Sequence, residues 1–178
     1  MRRQRPSTGT SRRHVTRDDP VVGWRFWGVS LRDGERRLRS PFRDTLWPVD
    51  EPLVAECFGT RRTIGLPEAS HEPPADGCRC GVYGGSYRAV RAYLDTVFVQ
   101  PAEAAVIGRA VLWGEVVDDG ASWRAQFAYP DRLLVPTLIR DAYQIAAGLE
   151  AYRVPVVLLD AAETFTTLQP NTYLRGAW

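Results

Sequence analysis

Lysine is absent from all 178 residues. That absence removes two chemistries at once, because a Walker-type phosphate loop and Schiff-base catalysis both need the lysine amine. All 23 basic residues are therefore arginine, a usage that fits codon bias in a GC-rich genome. Histidine is almost as scarce: only His14 and His71 occur, so a Ser-His-Asp triad would have to be built on one of these two. Neither G-x-S-x-G nor G-x-G-x-x-G is present, which removes the common hydrolase elbow and the dinucleotide fingerprint. No run of about 18 apolar residues exists to suggest a transmembrane helix. The start, Met1-Arg2-Arg3-Gln4-Arg5, is charged but no apolar stretch follows it, so a secretory signal is not expected. Three cysteines are an odd number, which argues against a disulfide framework and for a reducing, cytoplasmic setting.

What is present suits one folded domain. The chain is 44% hydrophobic and 25% charged, ordinary values for a globular protein with a core. The net charge of +2 is unevenly placed. Residues 1–19 hold six arginines against two aspartates, leaving 17 arginines against 19 acids for the rest. Residues 1–20 are polar and lack apolar periodicity, and read as a disordered Arg-rich tail. Arg2, Arg3, Arg5, Arg12 and Arg13 would make it a nucleic-acid arm; a solvated tail is the simpler reading, because the domain does not continue the positive field.

Alternation and turn residues predict hairpins. Val21 to Val29 reads as a strand, Asp33-Gly34 as its turn, and Arg37 to Phe42 as the return. Leu53 to Cys57 is short and apolar, residues 58–77 read as loop, and Ser86 caps a helix running to Leu94 with Val90, Tyr93 and Leu94 on one face. Ala104 to Val117 reads as one bent strand or two short ones, since Gly108 and Gly114 both invite bulges or bends. Asp118-Asp119-Gly120 is a turn, and Ser122 to Tyr129 pairs back. Residues 136–152 carry a helical stripe through Leu138, Ala142, Ile145 and Leu149. Val154 to Leu159 is a late strand that Pro155 assigns to an edge. The expectation is an α+β domain over 21–160: a mostly antiparallel twisted sheet with two helices on one side, a loop at 57–80 and a C-terminal extension over 161–178.

That loop concentrates the chemistry. Cys57, Cys78 and Cys80 are all the cysteines there are, and His71 is the one histidine beyond the tail. C-x13-H-x6-C-x-C supplies three thiols and an imidazole, a complete tetrahedral set for structural zinc. Its weight lies in exhaustiveness, since no cysteine falls outside it. The competing reading is three buried apolar cysteines and a loop histidine. With an open position, Glu72 or Glu56 could serve as base beside zinc-bound water, making a small zinc-dependent hydrolase; the deaminase pattern fails, because His71 and Glu72 are adjacent and the cysteines are C-x-C.

Outside the loop, Glu115, Asp118 and Asp119 read as a solvated hairpin turn rather than a carboxylate site. Trp24, Arg25, Trp27, Trp113, Trp123 and Arg124 form the candidate binding surface, with core packing of the rings as the alternative. Arg124, between Trp123 and Phe127, reads as a cation–π or a carboxylate-pairing arginine, with Glu115 across the hairpin as the candidate partner.

Ala55-Glu56-Cys57, His71 with Pro73, Cys78-x-Cys80-Gly81-Val82-Tyr83, Ile107-Gly108, Leu112-Trp113-Gly114, Arg124-Ala125 and Ala128-Tyr129-Pro130 together resemble a family of small bacterial proteins of uncharacterised function from GC-rich genomes. The resemblance covers residues 22–158 and implies that Cys57 to Ala128 is a single module. It implies no activity. Three expectations follow for function: a non-enzymatic zinc-stabilised module binding a protein partner, a nucleic-acid accessory protein using the tail, or the zinc hydrolase.

Overall fold

A computed structural model describes residues 13–14, 19–43, 45–57, 71–75, 77–96 and 105–160. Its elements in chain order are β1 (Arg13–His14), β2 (Val21–Arg32), β3 (Glu35–Arg39), β4 (Leu53–Val54), β5 (Val82–Gly85), α1 (Tyr87–Thr96), β6 (Ala105–Asp118), β7 (Ser122–Pro136), α2 (Ala142–Leu149) and β8 (Val156–Leu159). Arg13 and His14, expected in a disordered tail, instead pair with Asp118 and Val117 of β6. The other tail arginines proposed for nucleic acid (Arg2, Arg3, Arg5 and Arg12), residues 58–70 of the loop and the extension 161–178 lie outside the described residues.

The hairpins form where turn chemistry places them. β2 and β3 fold at Asp33-Gly34, and β6 and β7 at Asp119-Gly120. The long β6–β7 ladder shifts register between Arg109 and Ala110 and between Trp113 and Val116. Gly114 sits in the second shift with φ +75°, a conformation that a side chain resists. β6 pairs with both β2 and β7, β2 meets β5 at Trp24↔Gly85, and β5 pairs with β7. These four strands therefore close a small ring, with β3, β4 and β8 extending it.

One predicted helix is shorter than its pattern. Pro136 belongs to β7, because Leu133 to Pro136 pair in parallel with Val156 to Leu159. The helix starts at Ala142, and a 3-10 turn carries it through Tyr152. A parallel pair needs a crossover rather than a tight turn, and α2 provides it. The expected late strand therefore exists at an edge but runs parallel, the one exception to antiparallel pairing in the described sheet.

The two helices do not share a side. Trp24 and Trp27, three apart on β2, project to opposite faces. Tyr87 at the start of α1 meets Trp24 edge-on at 5.0 Å, while Ile145 and Leu149 of α2 join the cluster containing Trp27. Ser86 caps α1 as expected, its Oγ accepting from the Ala89 N–H at 3.2 Å; the side chains of Tyr93 and Leu94 lie outside the described residues.

The core holds Trp27, Leu38, Trp47, Leu112, Leu133, Leu149 and Tyr152, all essentially fully buried. Each such aliphatic or aromatic side chain contributes about 1.5–3 kcal/mol on burial. Tyr152 also ties three segments together. Its hydroxyl donates to the Trp47 carbonyl at 2.8 Å and accepts from the Leu38 N–H at 2.9 Å. Tyr152→Phe strands both backbone groups in the interior, an expected loss of about 1–3 kcal/mol, read as a lower urea midpoint with an unchanged slope. Burial raises the phenol to about 12. The wild type therefore keeps this contribution below pH 10, the ordinary phenol value, and loses it toward pH 12, whereas the Phe variant shows no such alkaline step.

Candidate metal centre

Cys57 and Cys80 arrive from segments anchored on β7. Ala55 donates its N–H to the Gln126 carbonyl at 2.8 Å, which fixes the chain two residues ahead of Cys57. Cys80 lies two residues ahead of Val82, which pairs with Ala125. Cys78 closes a turn through its N–H to the Ala75 carbonyl at 3.2 Å. Gly81 then bends the chain away with φ +119°. A Cβ there would lie 2.9 Å from the Arg124 Cβ and 3.2 Å from that of Pro74, so only glycine passes between the turn and the strand.

The ligand atoms of Cys57, His71, Cys78 and Cys80 all lie within 4.8 Å of one another. Cys57 Sγ and Cys78 Sγ are 3.7 Å apart, and His71 Nε2 is 3.2 Å from Cys80 Sγ. All three cysteines are free; Cys80 is buried and the other three ligands are partly so. The group is close enough to bind a metal ion.

Electrostatics separate the thiols. Burial pushes Cys78 upward, but hydrogen bonding with Cys80, then Cys57 and His71, outweighs it and brings the thiol down to about 7. Burial holds Cys80 up at about 11. One thiol of the metal-free cluster is thus ready to ionise at neutral pH, and another gives up its proton only to a strong competitor.

Arg124 was expected at a surface and is in the interior, 1% exposed. Its Nη1 donates to the carbonyls of Cys78 at 2.8 Å and Cys80 at 3.0 Å, so one guanidinium holds both ends of the C-x-C turn. Its Nε donates to Asp119 Oδ2 at 3.0 Å. The carboxylate partner is therefore Asp119, not Glu115: a turn residue five positions back reaches the guanidinium across the β6–β7 end. Asp118 serves the same turn by accepting from the Gly120 N–H at 2.7 Å. Tyr83 completes the enclosure by donating to the Arg79 carbonyl at 2.8 Å.

The tryptophans do not form one surface. Trp27 is fully buried against Trp47, ring centroids 5.4 Å apart, because its side of β2 faces the core. Trp113 stacks on Phe127, and Trp123 packs against the core cluster. Trp24 and Arg25 alone of the six line a groove of about 830 Å3 beside the cysteine turn. Sequence reasoning missed other contributors, among them Phe42, Val54, Arg79 and Tyr83. Their signal was faint, since each sits singly on a short strand or a loop segment.

No protein-family model matches this chain, and no curated protein or solved structure is a significant match.

Proposed function

We propose that the protein is a non-enzymatic interaction module whose fold is completed by structural zinc and which binds a protein partner. The observation that carries this is the four-residue set Cys57, His71, Cys78 and Cys80 within 4.8 Å. Three thiolates and an imidazole are a donor set that suits zinc. A tetrahedron with Zn–S bonds of about 2.3 Å has sulfur–sulfur edges of about 3.8 Å, against 3.7 Å for Cys57 and Cys78. Four protein ligands fill the tetrahedron, whereas a hydrolase needs a position for water. Partner binding draws support from the adjoining groove, which Phe42, Val54 and Tyr83 line with exposed apolar surface; contiguous surface of that kind marks interaction sites.

Cobalt(II) substitution tests the closed centre. The substituted protein should show the intense visible bands of a tetrahedral thiolate site, with one ion per chain, and azide or cyanide should leave them unchanged. A spectrum that shifts on adding either anion would reveal an open position and overturn the non-enzymatic reading.

A further inference from the structure

The groove beside the metal turn has a chemistry of its own. β2 reaches β5 at the single pair Trp24↔Gly85, and the groove lies between β2 and the β4–β5 side of the sheet. β4 pairs with β7 alone among the described strands. The Ala55 N–H points to β7, so by strand alternation the Val54 N–H points the other way, to the edge that no described strand covers. Phe42, Val54 and Tyr83, which are 62%, 54% and 42% exposed, put apolar surface along the same groove.

Its charge is one-sided. Among its described lining residues Arg25, Arg43 and Arg79 stand against Glu56, although the chain beyond the tail carries more acids than arginines. Arg25 is the unusual member. Its guanidinium lies over Trp47 at 4.7 Å and Trp27 at 5.5 Å, and Nη1 donates to the Tyr83 carbonyl at 2.7 Å. Nε is buried with no partner among the described residues. No carboxylate among the described residues pairs with it, and burial lowers it to about 9, which still leaves it charged at neutral pH. Arg25 is half-buried, and a partly desolvated cation without a counter-charge gains from a partner that compensates it.

We infer that this groove takes an extended acidic segment of a partner protein, laid along the free edge of β4 with a carboxylate at Arg25. Main-chain bonds to the edge give the segment its grip, alternate apolar side chains meet Val54 and Phe42, and the carboxylate sets register. Nucleic acid is a poorer fit, because the surrounding domain adds no positive field to the groove. This inference rests on the interaction-module reading, but its failure is separable from it: the cobalt spectrum judges the closed centre whatever the groove binds.

The test uses the full, metal-loaded chain on an array of short synthetic peptides covering acidic, basic and neutral combinations with apolar residues in alternation. Acidic alternating peptides should bind, and N-methylation of alternate peptide amides should abolish binding without touching the protein. Arg25→Gln should weaken binding by about tenfold or more. Arg79→Gln, at an exposed position, should weaken it too, and it remains informative if Arg25→Gln fails to fold. The inference is overturned if no acidic peptide binds, if basic peptides bind as well, if N-methylation is harmless, if the folded arginine variants bind like wild type, or if a single-stranded oligonucleotide displaces the peptide.

Discussion

Metal-free protein is expected to melt roughly 10 °C lower than the metal-loaded form. A ligand present at about a thousand times its Kd stabilises the folded state by about 4 kcal/mol, and each kcal/mol moves a domain of this size by about 2–4 °C. The loss should be local before it is global. Of the buried core, the segments flanking the cysteine cluster supply Ala55, Cys80 and Val82, whereas the large side chains, Trp27, Trp47, Leu112, Leu133 and Tyr152, sit elsewhere. Hydrogen exchange should therefore rise at residues 53–57 and 77–85 while β6 and β7 stay protected. Cys57→Ser or Cys78→Ser should reproduce the effect without chelator. The pH dependence has a definite sign. Cys80, at about 11, holds its proton at neutral pH, and Cys78, at about 7, gains one as pH falls. Metal must displace these protons, so affinity falls on acidification and a chelator should strip the protein more readily at about pH 5.5 than at about pH 8. Verified metal-free protein that melts with the loaded form would sink the structural role.

Local chemistry made part of this legible in the sequence. Asp33-Gly34 and Asp119-Gly120 mark their hairpins because few residues accept those turns, and Ser86 caps α1 because its hydroxyl reaches the third residue on. The ligand set was readable because all three cysteines and the sole non-tail histidine crowd into 24 residues. What failed depends on long-range pairing. Apolar positions after Pro136 carry a helical stripe, but Leu133 to Pro136 are claimed by a parallel partner some 23 residues on, which no local period reveals. Arg124 misled for a related reason. Its alternating neighbourhood suits either an exposed guanidinium or a buried one, and only the arrival of the Cys78–Cys80 turn decides between them. Trp27 likewise reads the same as Trp24 until the face of β2 toward Trp47 is known.

Arg124→Ala should cost about 3–5 kcal/mol, the usual penalty for breaking a buried charged network, and should also weaken the metal site. The guanidinium is 1% exposed and serves three acceptors: Asp119 and the carbonyls of Cys78 and Cys80. Removing it leaves those carbonyls without that donor beside a new cavity, and frees the backbone that aims two of the thiols. Partners that orient metal ligands are worth about 10–100-fold in affinity, and a drop of that order is expected in competition with a chromophoric chelator. Arg124→Lys should rescue little, because a single ammonium on a flexible stem cannot span three divergent acceptors as the planar fork does. Asp119→Asn should be milder than either. Its carboxylate is 23% exposed, so water can replace part of what it accepts, and the two carbonyl contacts to Nη1 survive. The ordering of the three variants separates positioning from mere packing. If Arg124→Ala lost stability but kept wild-type metal affinity, the turn would hold its shape unaided, and the guanidinium would be only a core strut.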